Sequence, residues 1–294
     1  MSNQKEIRAR ISSTISTQQI TKAMKLVSAT KLRKASEAIM RMRPYAMKLQ
    51  GIMSNLQESV DDDKLAVYFK QREVKKVALV VISSDRGLCG AFNANVYKQV
   101  RRVIDEKYKD LHAAGNVEII CVGKKAAESL GRVGYMVNTE FMSMLNGLSA
   151  EKSFEFSEIL LKRFRAGEID KLEVVYNQFK NAATQILTSD ALLPVTPSED
   201  SSDQAVGDYL FEPNKVAILE DLIPRSLKTH MYRAMLDSLA SEHGARMVAM
   251  DKATENAGEL LSSLRLAYNQ ARQAAITREI SEIVGGVAAL EDAG

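Results

Sequence analysis

The sequence predicts an α/β protein: an antiparallel two-helix coiled coil formed by the N- and C-terminal helices, joined to a Rossmann-like parallel-sheet domain. Three observations carry that expectation. Glycine-poor stretches with recurring aliphatic residues close both ends of the 294-residue chain, and short apolar runs alternate with helical segments between them. The middle also connects the end of the first long helix to the start of the second, so the two run in opposite directions if they pair. The expected divisions are residues 1–60 for the first helix, 74–210 for the α/β domain and 212–294 for the second helix.

The first helix is expected to start near Asn3, which can cap it while Glu6, three residues on, returns a bond to the backbone. Ile7, Ile11 and Ile15 recur every four positions. Ile20, Met24, Val27, Leu32, Ile39, Met42, Leu49, Ile52 and Leu56 continue a spacing of mostly three or four, which draws one apolar stripe. About 55 helical residues extend on the order of 80 Å, too long to stand without a long partner. The partner expected from the sequence runs from Asn214 to Leu290, with Leu219, Met231, Leu239, Leu260 and Ile276 among its apolar positions. Hydrophobic heptads are not strict, alanines such as Ala253, Ala257 and Ala271 crowd the seam, and Gly244 and Gly258 each cost roughly 1 kcal/mol of helix propensity. Pro44 and Pro224 are expected to bend or break their helices, because each removes a backbone donor.

In the middle, Val77–Ile82 is a continuous apolar run of the kind found in strands buried on both faces. A helix is expected over 93–111, a strand over Val117–Val122, helices over 124–130 and 154–166, and a third strand over 171–177. Residues 184–192 offer a fourth, before Pro194 and Pro197. Strands separated by helices imply crossovers and a parallel sheet. Residues 198–207 are too polar to bury and read as a loop.

Composition narrows the function. Hydrophobic residues make up 46% of the chain and aromatic residues only 6%, which suits helices rich in Ala, Leu and Met. No apolar run reaches the 18 or so residues that a membrane span requires, and the N-terminus lacks the apolar core of a secretion signal. Two cysteines, Cys89 and Cys121, point to buried thiols in a reducing compartment. The overall charge is +3, yet residues 1–50 hold eleven basic side chains against Glu6 and Glu37. Such a field favours an acidic partner. Nucleic acid is one possibility, although Tyr45 is the single aromatic there that could stack on a base; an acidic protein surface is the other.

A glycine-bearing loop after the first strand also raises a phosphate-handling α/β enzyme. In Ser83–Asn93 the glycines Gly87 and Gly90 lack the dinucleotide spacing, and Gly123-Lys124-Lys125 lacks both the earlier glycine and the following Ser or Thr of a phosphate loop. His112, His230 and His243 have no metal-site spacing, and Cys89 beside Arg86 is a nucleophile candidate without a nearby histidine in sequence.

Three stretches then carry a resemblance. The run ITKAMKLVSATKLRKA from Ile20 to Ala35, the loop SDRGLCGAFN from Ser84 to Asn93, and the C-terminal runs from Arg246 and from Ile276 to Leu290 closely resemble the gamma-subunit family of F-type ATP synthases, in the same order and over essentially the whole chain. One departure is Gly286-Val287, where the family usually has Gly-Ala. The resemblance implies a central-stalk rotor with no active site and no cofactor. Its partners would be a hexamer of alpha and beta subunits, an epsilon subunit and a ring of c subunits, with the membrane touched only indirectly and no nucleic acid or small-molecule substrate.

By position in the matching motifs, Arg246, Gln273 and Thr277 would touch the catalytic subunits, with Met24, Lys25 and Lys31 on the opposing helix. Tyr209 and Glu212, within Gly207–Pro213, would face the c ring. No organelle transit peptide is evident, and no cysteine-bearing insert lies between Pro197 and Tyr209. A complex on the cytoplasmic face of a bacterial membrane is therefore expected.

Overall fold

A computed structural model describes residues 2–57, 67–69, 72–195 and 215–291. The expected boundaries at 60, 210 and 212 lie outside the described residues, as do the polar loop at 198–207 and the two c-ring candidates, Tyr209 and Glu212. The described elements are α1 (Ser2–Gln57), β1 (Val77–Ile82), α2 (Phe92–Lys107), α3 (Lys109–Ala113), β2 (Val117–Val122), α4 (Lys124–Arg132), β3 (Val137–Asn138), α5 (Ala150–Arg165), β4 (Lys171–Phe179), β5 (Gln185–Leu193) and α6 (Lys215–Glu291). The chain divides into two compact units, one of residues 1–27 with 247–294 and a larger one of residues 28–246.

In the larger unit a five-stranded sheet runs in the order β3-β2-β1-β4-β5. Strands β1, β2, β3 and β4 are parallel, while β5 returns antiparallel to β4 and makes the sheet mixed. That direction follows from the short connection: only five residues separate β4 from β5, too few for a crossover back to the same edge. Both faces of β1 are covered. Ala78, Val80 and Ile82 pack with Phe156, Leu160 and Phe164 of α5 and with Met231 and Met235 of α6. Val77, Leu79 and Val81 pack on the other side with Val96, Val100 and Ile104 of α2 and with Ala127 and Leu130 of α4. A strand fully buried on both faces has no polar positions to alternate, which explains its unbroken apolar run.

Glu173 is an acidic residue inside this sheet. Lys107 Nζ lies 2.8 Å from its carboxylate, and Tyr108 and Ser189 both donate to it. Burial pushes its pKa up, but these donors together outweigh that and hold the carboxyl below its ordinary value.

Several expectations shift. Helix α1 begins at Ser2, so Asn3 lies within it. The single helix expected over 93–111 is interrupted at Tyr108, which is buried and ends α2 with a non-helical backbone. The two-residue strand β3 had no sequence signal. α1 and α6 run through Pro44 and Pro224 without a break. Serine caps α5: Ser149 Oγ accepts from Lys152 N at 3.3 Å.

The smaller unit consists of the start of α1 and the end of α6. As residue numbers fall along α1 they rise along α6: Lys25 Nζ meets Asp251 Oδ1 at 2.6 Å, Thr254 Oγ1 donates to Thr21 Oγ1 at 2.8 Å, and a Cβ on Gly258 would stand 3.1 Å from Gln18 Nε2. The helices are therefore antiparallel.

Candidate functional site

Burial along the helix pair follows a stricter rhythm than the hydrophobic pattern does. On α1 the shielded positions include Gln4, Ile7, Ile11, Thr14, Gln18, Thr21 and Lys25, spaced alternately by three and four. On α6 the facing series is Met250, Thr254, Ala257, Leu261, Leu264, Tyr268, Ala271 and Ala275, again three and four. This is the 3.5-residue period of a coiled-coil seam, filled largely by polar and small side chains. The apolar residues expected to form the stripe are partly displaced outward. Ile20 is 59% exposed, Val27 56%, Leu260 52% and Ile276 47%, and Leu26, Leu266, Ile280 and Ile283 are exposed as well. The rod hides threonine and glutamine beside Ile7, Ile11, Leu261 and Leu264 and leaves a second set of isoleucines and leucines exposed, the kind of apolar surface that marks an interaction site.

The basic field is also on the outside. Of the eleven basic side chains in residues 1–50, only Lys25 is half-buried; the others are exposed. Arg10 pairs with Glu6 at 2.8 Å and Arg33 lies 3.8 Å from Glu37, both one helical turn apart. Most of the positive charge is thus offered to whatever approaches α1.

In the larger unit the carboxyl ends of β1 and β4 form the crevice where open α/β sheets commonly bind ligands, because the chain order reverses there. Helix α6 occupies it. Ser241 Oγ donates to Asn177 O at 3.0 Å, and a Cβ on Gly244 would stand 3.1 Å from Ala182 Cα. Arg246 Nη2 donates to Arg86 O at 3.0 Å and to Gly87 O at 3.2 Å, and Nη1 meets Glu242 Oε1 at 2.6 Å. Gly244 was visible in the sequence as a helix-weakening glycine; its reason is this close approach.

The backbone donors at the start of α4 are also taken. At the start of α4, Lys124 N donates to Asp85 Oδ1 (3.2 Å), Lys125 N to Ser84 O (3.0 Å) and Ala126 N to Ser83 Oγ (2.9 Å). Gly123, at φ 106°, brings the two loops together so closely that a Cβ would fall 2.2 Å from Ser83 O. These are the groups a phosphate loop would leave open.

The titratable groups follow from their surroundings. Cys89 is 1% exposed, and burial pushes its thiol up, the opposite of what a nucleophile requires. Burial also pushes the Cys121 thiol up, to about 12. His243 is lowered to about 4, first by burial and then by the Arg246 and Lys31 charges. Asp237 is raised to about 6 by burial, although Arg233, the Phe179 amide, Arg43 and His230 all pull it down. His230 Nε2 lies 3.2 Å from Asp190, to which Tyr176 also donates, so it meets a carboxylate of the sheet. Among the described residues no group of three or more His, Cys, Asp or Glu could hold a metal ion, and no helix is long and apolar enough to cross a membrane.

The family profile described as ATP synthase matches residues 3–290. The ATP synthase gamma chain of Cytophaga hutchinsonii is 50% identical over 99% of this chain and all of its own length, and that of Flavobacterium psychrophilum is 50% identical over the same shares. The chain belongs to the ATP synthase gamma-chain family. In fold it is similar to a chain of the Euglena gracilis mitochondrial ATP synthase OSCP/F1/c-ring structure, with a TM-score of 0.70 at 25% identity, covering 98% of this chain and 95% of that one. A chain of the Tetrahymena thermophila central stalk/c-ring structure matches with a TM-score of 0.55 at 24% identity, over 80% of this chain and 99% of that one.

The positions singled out from the gamma-chain motifs fall into four groups. Gln273, Thr277 and Lys31 are exposed, while Met24 is half-buried and Lys25 reaches Asp251 with 38% of its side chain still exposed. Arg246 is 7% exposed and meets its partners inside the chain. Tyr209 and Glu212 lie outside the described residues. What sequence reasoning missed is the outward aliphatic set and the α6 residues that fill the crevice; the first was hidden by a polar seam, the second by sequence separation.

Proposed function

We propose that this gamma-family chain is the non-catalytic rotor of an ATP synthase, turning inside a hexamer of alpha and beta subunits as ions drive a c ring at its foot. In this reading it lies on the cytoplasmic face of a bacterial membrane, bound through other subunits, in a proton-transporting complex with an epsilon subunit beside it. The observation that carries the reading is the helix pair with polar residues in its seam and aliphatic residues on its surface. Such a rod presents a different set of side chains to each side of an enclosing sleeve. A rotor acts through exactly that asymmetry: each catalytic site meets a different face, and only differential contact can shift a site between conformations.

Met24, Lys25, Lys31, Gln273 and Thr277 are the contacts proposed on the catalytic subunits, and Tyr209 and Glu212 those at the c ring. Exposed ion pairs contribute roughly 0–1 kcal/mol each and are screened by salt, so the basic field of α1 can attract acidic loops without holding any one of them fast. The crevice filled by α6 and the occupied amides of α4 support a rotor over a nucleotide-binding enzyme. Reconstitution tests the reading. Alpha and beta subunits are mixed with and without this chain, and steady ATP hydrolysis by the assembled complex is expected only when it is present. Equal turnover without the chain would contradict it.

A further inference from the structure

We infer that the crevice at the carboxyl ends of β1 and β4 is a torque anchor, in which Arg246 and Glu242 fasten helix α6 to the loop after β1. This rests on the rotor reading and specifies where such a shaft is gripped.

The geometry is that of a fork held on several sides. Arg246 Nε lies 3.3 Å from Gly87 O, Nη2 donates to the carbonyls of Arg86 and Gly87, and Nη1 meets Glu242 Oε1 and lies 3.4 Å from His243 Nδ1. Both side chains of the ion pair are only 9% exposed. A buried pair is a poor source of net stability, because removing two charges from water offsets most of their attraction. Its use here is directional: a planar guanidinium with fixed donors sets the angle between helix and loop, which an apolar contact would leave free to slide.

The loop is itself held in one shape. Ser84 N donates to Asn93 Oδ1 at 3.1 Å, and Asn93 Nδ2 reaches Ser84 Oγ at 2.7 Å and Cys89 Sγ at 3.2 Å. Leu88 adopts φ 61°, a left-handed conformation that a leucine enters only when its surroundings enforce it. A rotor requires α6 to be held firmly within the sheet domain, because slack at this contact would absorb rotation.

The two native cysteines provide the test. Cys89 lies in the gripped loop and Cys121 in the centre of the sheet on β2, both buried. In the full chain, Arg246→Gln is expected to raise the alkylation rate of Cys89 by about tenfold or more, the usual scale for losing charge-assisted hydrogen bonds, with Cys121 unchanged. Arg246→Lys should not restore protection, since an ammonium cannot span both carbonyls and Glu242. In the assembled complex in membranes, Arg246→Gln should lower the number of ions moved per ATP hydrolysed. Unaltered Cys89 labelling overturns the anchor, and so does a parallel rise at Cys121, which would mean general loosening. An unchanged ion-to-ATP ratio despite an opened loop overturns its mechanical role. Should Arg246→Gln not fold, Glu242→Gln, which leaves the carbonyl contacts in place, is expected to give a smaller rise confined to Cys89. If the unaltered chain fails to support hydrolysis by alpha and beta subunits, it is the rotor reading that fails and not the anchor, which the labelling tests in the isolated chain.

Discussion

Lys25 Nζ stands 2.6 Å from Asp251 Oδ1, an ion pair between residues 226 positions apart in sequence. It marks the register of the helix pair, because Thr21 meets Thr254 one turn away in the direction an antiparallel pairing requires. Both charged side chains are well exposed, at 38% and 58%. A double-mutant cycle of Lys25→Ala and Asp251→Ala is expected to give a coupling of no more than about 1 kcal/mol. In the assembled complex, Lys25→Glu should weaken binding more at low salt than at high salt, as a contact with an acidic partner demands. Equal assembly at both would remove the electrostatic argument.

Gly123 sits at φ 106° with Ser83 O where a Cβ would go, whereas Gly115, at φ 74°, has open space around it. Gly123→Ala is expected to destabilise the chain by on the order of 3–5 kcal/mol, and Gly115→Ala by about 1–2 kcal/mol, in urea unfolding of the full chain. Similar losses at the two sites would contradict the close approach of the β1 and β2 loops.

Asp237 gives a pH dependence with a definite sign. Its folded pKa is raised to about 6 from an ordinary 3.8, so the folded chain holds a proton there that the unfolded chain has released. Stability from this group is therefore full below about pH 4 and lost as pH rises through 6. Asp237→Asn should remove that loss, gaining roughly 1–3 kcal/mol at pH 7 and nothing at pH 4. Urea midpoints measured across that range check it; a variant less stable than the parent at pH 7 would contradict the reading.

His243 has the opposite sign. Its folded pKa is lowered to about 4 from 6.5, so below pH 6.5 the unfolded chain takes up a proton that the folded chain refuses, and stability falls until about pH 4. Because Asp237 and His243 oppose each other between pH 4 and 6, the parent chain should show a flatter profile there than either single variant. His243→Gln is expected to flatten the fall seen between pH 7 and 6.5, where Asp237 is mostly ionised. A profile identical to the parent's over that interval would mean that burial does not hold His243 neutral.

The sheet domain was legible because β1, β2 and most of β4 are buried on both faces. Val77–Ile82 contains no polar residue to confuse it with a loop, and the same holds for most of Val117–Val122. The helix pair was legible in existence but not in seam. A hydrophobic stripe normally marks the buried face, yet here Thr21 and Gln18 face inward while Ile20 and Val27 face out. The seating of α6 was not legible at all: Ser241 and Asn177 are 64 residues apart, and nothing local in either marks the other as its partner. Arg246 was singled out through its family motif as a contact to the catalytic subunits, and nothing in the motif indicates that its guanidinium turns toward Gly87.

The claim on which the account depends is that the two ends of the chain turn as one body. The hydroxyl oxygens of Thr21 and Thr254 are 2.8 Å apart, so cysteines at both positions should form an intramolecular disulfide with little movement. The deciding measurement is ATP-driven ion pumping by the assembled complex carrying Thr21→Cys and Thr254→Cys, before and after oxidation. The bond is expected to form, and pumping to continue as fast as before oxidation. Pumping that stops on oxidation and returns on reduction, or thiols that never join, would contradict it.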